Sequence, residues 1–117
     1  MSNLSVYAKT KFILKMIDNL KKIITKHGGI VKALEDELEA QPAILMALLI
    51  GESLNKVDKE IIKKYDLEQE AKGSYDVRNF IAHDYERVRL EIVEDILRSG
   101  LEELEIKILK LSADFEK

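Results

Sequence analysis

Apolar positions recur along this chain at helical spacing. Near the N-terminus Ile13, Ile17, Leu20 and Ile24 follow one another at +4, +3 and +4, and Phe12, Met16 and Ile23 widen the stripe. Steps of three and four put side chains on one face of an α-helix, so a first amphipathic helix is predicted. Ser5 can cap its start. Gly28-Gly29 can end it, because glycine takes the left-handed conformation that closes a helix at little cost. A short piece follows, Ile30 to Leu38. The single proline, Pro42, loses nothing in a first helical turn by lacking an N–H, and marks a new start. The helix predicted there, about 42–57, is nearly continuous in apolar residues from Ala43 to Ile50. A helix apolar all round is buried on more than one side, so this one is read as core, or as core plus a subunit contact.

Asp58 to Tyr65 reads as a short amphipathic turn. Asp66 can cap a further short helix, with Gln69 three residues on. Gly73-Ser74 interrupts the pattern, and Ser74 can cap a helix running to about His83. The last segment has the clearest period: Val93, Leu97, Leu101, Leu104, Ile108, Leu111 and Phe115 recur at +4, +4, +3, +4, +3 and +4. This near-heptad seam predicts a long helix, about 88–116, lying along a partner helix. Ile92, Ile96, Ile106 and Leu109 fall off the seam. A symmetric dimer would bury them; a monomer with a well-filled core is the other reading. The predicted architecture is all-α: one domain over 1–117, an antiparallel bundle of four to six helices, forming a two-fold dimer.

Composition narrows the classes. At 117 residues the chain has room for one core. Five glycines and one proline do not suit a turn-rich β fold. The absence of cysteine removes disulfides, thiol catalysis, thiolate zinc and iron–sulfur sites together. No stretch approaches the ~20 apolar residues a membrane span needs, and no cationic-then-apolar leader is present, so a cytoplasmic protein without membrane contact is expected. The net charge of −3 argues against a broad nucleic-acid-coating surface. The charge is uneven, however: residues 1–34 carry seven lysines and one acid, Asp18. A polyanion would therefore meet this segment or a small local site. Lys11, Lys15, Lys22 and Lys26 form a rough stripe that either guides an RNA backbone or is a solvated face.

Candidate chemistry is sparse. No nucleophile elbow, Gly-rich phosphate loop or metal-ligand spacing occurs, and no cofactor is implied. His27 precedes Gly28-Gly29, where a helix C-terminus favours it without any further role. His83 has different company: Arg78-Asn79-Phe80-Ile81-Ala82-His83-Asp84-Tyr85. Asn79 and His83, four apart, share a helix face, and a long arginine side chain can curl toward them. An imidazole of pKa near ~6.5 can take a proton from a ribose 2′-OH and return one to a leaving 5′-oxygen. A guanidinium matches the charge that builds on a pentavalent phosphorus. Asn79 can hold the imidazole tautomer or the scissile phosphate. One histidine per chain is too few for separate acid and base, and a two-fold dimer with both motifs across one cleft would supply the second. The competing reading is that Arg78 pairs with an acid and His83 caps a helix end.

The stretch Arg78 to Tyr85 resembles the Arg-x4-His-x-Tyr signature of HEPN-domain proteins, specifically the HepT-like toxins of HEPN/MNT toxin–antitoxin pairs. Ile50-Gly51-Glu52 is similar to a tripeptide those proteins often carry, Asp76 to His83 to their motif helix, and Leu90-Glu91-Ile92-Val93 to the start of their last helix. The similarity covers roughly residues 10–112. It implies a dimeric helical bundle and a metal-independent endoribonuclease acting by transesterification. Arg78 and His83 would be the catalytic pair, with Asn79 beside them. A nucleotidyltransferase (MNT) antitoxin would hold the toxin off, in some members by transferring AMP to the tyrosine of the motif, here Tyr85. Tyr85 packing under the last helix is compatible with this. Arg87 and Arg89 follow the motif and either flank an RNA phosphate or are ordinary surface charge. Glu52, a carboxylate in an apolar helix, must be paired or face the cleft, and can orient His83 or Arg78. The alternative function is a non-catalytic HEPN module that binds a nucleotidyltransferase or a nucleotide. A structural helical dimer with a coincidental motif is a third reading.

Overall fold

The fold is that of a computed structural model, which describes residues 2–83 and 90–116, with the backbone alone for Ala82 and His83. All its regular structure among the described residues is helical: α1 (Asn3–Lys26), α2 (Ile30–Glu35), α3 (Ala40–Ile50), a 3₁₀ segment (Gly51–Lys56), α4 (Lys59–Lys64), α5 (Glu68–His83), α6 (Leu90–Asp95), a π-turn (Ile96–Gly100) and α7 (Leu101–Phe115). Because α6, the π-turn and α7 are contiguous, the described chain runs as six rods.

The two long amphipathic helices form the spine. Ile13, Ile17 and Leu20 of α1 are buried together with Leu104, Ile108 and Leu111 of α7. Each fully buried aliphatic side chain contributes about 1.5–3 kcal/mol. Lys21, late in α1, meets Glu105, early in α7, at 2.6 Å, and Leu4 and Tyr7 line a cleft with Phe115. The two helices are therefore antiparallel. On α3, Ala40, Ile44, Leu45, Ala47 and Leu48 are buried, and Met46 stays two-thirds exposed. The helix that reads as apolar all round is thus core with one open strip.

Helix boundaries differ from the sequence reading in five places. Ser2, not Ser5, caps α1, its Oγ accepting the Ser5 N–H at 3.1 Å. The predicted helix 42–57 tightens into 3₁₀ geometry at Gly51. Asp66 takes a left-handed φ of 55° and turns the chain, and the Leu67 carbonyl accepts the first α5 bond, from Ala71 N–H at 2.9 Å. Gly73-Ser74 does not interrupt: α5 runs through both. A helical glycine costs about 1 kcal/mol relative to alanine, and here tertiary contact with the 3₁₀ segment holds the helix across it. Asn55 Nδ2 donates to the Ala71 carbonyl at 2.9 Å, and Gly51 sits directly against Ser74. Finally, the long last helix contains the π-turn. Two consecutive +4 steps, Val93 to Leu97 to Leu101, would carry an ideal helix about 80° off its stripe. A π-turn absorbs one extra residue, which keeps all three side chains buried.

Gly28 and Gly29, at φ 81° and 134°, turn the chain out of α1 into α2 as expected. His27 is clamped at this turn, Nδ1 donating to the Ile23 carbonyl at 2.9 Å and Nε2 facing Asp36 Oδ2 at 3.1 Å. Asp36 in turn accepts the Glu39 and Ala40 N–H groups at 3.3 Å each. Desolvation pushes the Asp36 carboxyl up. The Ala40 and Glu39 N–H groups, with His27, outweigh it and hold the carboxyl below its ordinary 3.8. A depressed carboxyl stabilises the fold above its unfolded pKa, and that contribution disappears as pH falls through the folded one. The stability gap between wild type and Asp36→Ala, read by urea unfolding, is therefore expected to stay constant near neutrality and to close below pH 3.8. A gap independent of pH would show that the carboxylate charge contributes nothing.

Candidate active site on α5

The motif residues sit on the second half of α5, and the 3₁₀ segment positions them. With no side chain at Gly51, α5 comes close: a Cβ there would lie 3.2 Å from Ser74 Oγ and 3.8 Å from Met16 Cε. That approach brings the next residue, Glu52, to Arg78, with Glu52 Oε2 3.5 Å from Arg78 Nε. Arg78 Nη1 also donates to Asn79 Oδ1 at 3.1 Å. The guanidinium is held on two edges, and the Arg78 side chain as a whole remains 42% exposed and that of Glu52 33%. An ion pair this open adds at most about 1 kcal/mol to stability, so its main consequence is to fix where the positive charge points.

Of the two readings left open for Arg78, pairing with an acid is observed. That pairing does not use up the cation, because Nη2 has no hydrogen-bond or ion-pair partner among the described residues. Glu52 meets Arg78, one of its two predicted partners. His83, five residues beyond Arg78, is the last residue of α5, and its side chain lies outside the described set. Tyr85, Arg87 and Arg89 also lie outside the described residues.

His27 is far along the chain in the α1–α2 clamp. Lys11, Lys15, Lys22 and Lys26 are exposed. Lys22 pairs with Asp18 at 2.9 Å and Lys11 lies over the Tyr7 ring at 5.1 Å, as on a solvated face. Sequence reasoning missed Asn55 and the approach of Gly51 to Ser74. The one signal was a glycine directly after an unbroken apolar run. No group of three or more His, Cys, Asp or Glu among the described residues can hold a metal ion, and no helix among them is long and apolar enough to cross a membrane.

Two further polar links brace the site's scaffold. Tyr65, at the end of α4, donates to Asp114 Oδ2 on α7 at 2.6 Å. This hydrogen bond, with burial, pushes the phenol up to about 12. Lys107 on α7 reaches Glu70 on α5 at 2.8 Å and the Asp66 carbonyl at 2.8 Å. The Glu70 hydrogen bond holds the ammonium above its ordinary pKa, against partial burial.

These features define an all-α bundle that presents an arginine and an amide side by side, one helical turn before a histidine. The family model described as Ribonuclease HepT-like matches residues 13–111, and the chain belongs to that family. No curated protein and no solved structure gives a significant match.

Proposed function

We propose that the protein is a HEPN-type endoribonuclease, the toxin of a HEPN/MNT toxin–antitoxin pair, which cuts RNA without a metal ion. The observation that carries this reading is the Arg78 guanidinium, held by Glu52 and Asn79 on a side chain 42% exposed, five residues before His83 in a chain of a ribonuclease family. In the proposed step a ribose 2′-oxygen attacks the adjacent phosphorus and gives its proton to one His83 imidazole. The bond from phosphorus to the 5′-oxygen breaks, and that oxygen takes a proton from the His83 imidazolium of a second copy. The products are a 2′,3′-cyclic phosphate and a free 5′-hydroxyl. Arg78 balances the charge that builds on the phosphoryl oxygens. Asn79, its Oδ1 occupied by Arg78, turns its NH₂ donors toward the phosphate.

The second copy completes the acid–base pair. Ile92, 45% exposed, lines an apolar groove with Phe80 of the motif helix, beside the end of α5. A two-fold contact there would bury the groove and bring both motifs to one cleft. The antitoxin proposed is a nucleotidyltransferase that transfers AMP from ATP to the Tyr85 phenol oxygen, releasing pyrophosphate and the phenol proton, and so adds bulk and negative charge beside the proposed RNA phosphate. Arg87 and Arg89 are proposed to flank that phosphate.

The test is to incubate the purified protein with varied RNAs in excess chelator and analyse the ends. Cyclic phosphates are expected. Their absence across all RNAs, together with tight binding to a nucleotidyltransferase, would establish the non-catalytic module instead. Glu52→Gln is expected to lower kcat roughly 10-fold by loosening the guanidinium, with little change in KM or in thermal stability. An equal loss in both kinetic constants would remove Glu52 from this positioning role.

A further inference from the structure

The outer face of α1 carries one sign of charge. At about 100° per residue, Lys11, Lys15, Lys22 and Lys26 fall within about 60° of one another, opposite the buried Ile13, Ile17 and Leu20. The stripe runs for about 22 Å along the helix. Asp18 is the one acid in α1, and its partner is Lys22 at 2.9 Å. Lys15 and Lys26 have no ion-pair partner among the described residues.

The two flanks of this face differ. On the Lys21 flank α7 supplies Glu105 at 2.6 Å. Phe12 stands on the other flank, about 180° round from Lys21. Met16, one turn on from Phe12, lies beside Gly51, where a Cβ would be 3.8 Å from Met16 Cε. That flank therefore borders α3 and the 3₁₀ segment. α3 has no charged residue from Ala40 to Ile50, and Glu52 of the 3₁₀ segment is engaged by Arg78. The lysines thus meet no compensating carboxylate on this side.

Phe12 belongs by spacing to the edge of the buried stripe, yet it is 62% exposed. An open ring beside a row of ammonium groups is the combination that holds single-stranded nucleic acid: the cations track phosphates and the ring stacks on a base. An acidic protein surface would use the charge without needing the ring. Lysines four apart lie ~6 Å apart along the axis, comparable to the step between successive phosphates of an extended strand. Solvated in the free chain, such a face gains when a polyanion releases its counterions. The flank also leads to the site, because Gly51 precedes Glu52, which holds Arg78 at 3.5 Å.

We infer that this face of α1 is the docking surface for the single-stranded RNA that flanks the cleavage point, with Lys11, Lys15 and Lys26 on phosphates and Phe12 under a base. The inference rests on the ribonuclease reading for the identity of its ligand, and adds residues that lie outside the motif.

The test is fluorescence anisotropy of the full chain with a labelled single-stranded RNA of roughly 12 nucleotides, within the usual site size. Every ribose is 2′-O-methylated, so no 2′-OH is available for cleavage. A Kd of roughly 1–100 µM is expected at physiological salt. Each lysine on a phosphate adds ~0.7 to the slope of log affinity against log salt, so Lys11→Gln, Lys15→Gln and Lys26→Gln together should lower the slope by about 2 and weaken binding at least about tenfold in low salt. The same three positions changed to arginine should keep both. Lys59→Gln, Lys63→Gln and Lys64→Gln remove equal charge from exposed positions on α4 and should change the affinity by less than about threefold, since distant charges are screened. Phe12→Ala should weaken binding roughly 5–10-fold with the salt slope unchanged. All these side chains are exposed, so circular dichroism should stay helical throughout. No binding by the wild type, an α1 glutamine variant that binds as well as wild type, an equal loss in the α4 variant, or wild-type affinity in Phe12→Ala would each overturn the inference. Cleavage that yields cyclic phosphates while the α1 variants bind undiminished would overturn this surface alone. Binding that depends on the lysines and Phe12, without any cleavage, would uphold the surface and remove the nuclease.

Discussion

Alanine at His83 or at Arg78 is expected to lower RNA cleavage in chelator by 10²–10⁴-fold, the usual loss when a general acid–base group or a charge-stabilising donor is removed. The two substitutions should act through different terms. Without His83 neither the 2′-OH nor the leaving oxygen has its proton partner, so the pH–rate profile should lose its imidazole limb. Without Arg78 the profile should keep that limb while the plateau falls. Both variants should retain the wild-type fold. The Arg78–Glu52 pair is substantially exposed, and pairs of that kind contribute little to stability. Cleavage that survives both changes would place the chemistry elsewhere on the chain. A profile of unchanged shape in His83→Ala would remove the imidazole from proton transfer.

The largest effect on stability is expected from Lys107→Met. Lys107 and Glu70 are only 20% and 17% exposed and lie 2.8 Å apart. Removing the ammonium leaves a mostly buried carboxylate unpaired, and strips the Asp66 carbonyl of its donor. The expected cost is about 2–3 kcal/mol, below the figure for a fully buried pair because some solvent still reaches both groups. The same link joins α5 to α7, so the loss should also loosen the helix that carries Arg78. Glu70→Leu added to Lys107→Met should recover most of the loss, because an apolar pair of similar volume needs no counter-charge. Urea midpoints of the two single variants and the double variant measure this as a cycle. A cost under about 0.5 kcal/mol for the single change would show that the pair is already hydrated in solution.

Stripe periodicity made the spine legible. Ile13, Ile17 and Leu20 on one helix and Leu104, Ile108 and Leu111 on the other are buried as their spacing requires. The sequence marked Arg78 to Tyr85 as the candidate motif, and Glu52 as a carboxylate that needed a partner. The choice of Arg78 as that partner was not legible, because Glu52 and Arg78 are separated by twenty-five residues and the whole of α4. Gly73-Ser74 was misread for a related reason. Local propensity disfavours a helix there by about 1 kcal/mol, and only the packing of Ser74 on Gly51 and the bond from Asn55 to the Ala71 carbonyl outweigh it.

By itself the sequence determined the all-helical class, the buried faces of the long helices and the Arg78-Asn79…His83 spacing on which the proposed function rests. Each of these depends on residue type and spacing within one segment, which a linear reading contains. Tertiary structure alone decided the join of the 3₁₀ segment to α5, the aim of the Arg78 guanidinium and the π-turn that keeps the last stripe in register. Those features arise where separate segments meet, and a contact between segments depends on the shape and distance of both partners, which no single stretch of sequence encodes.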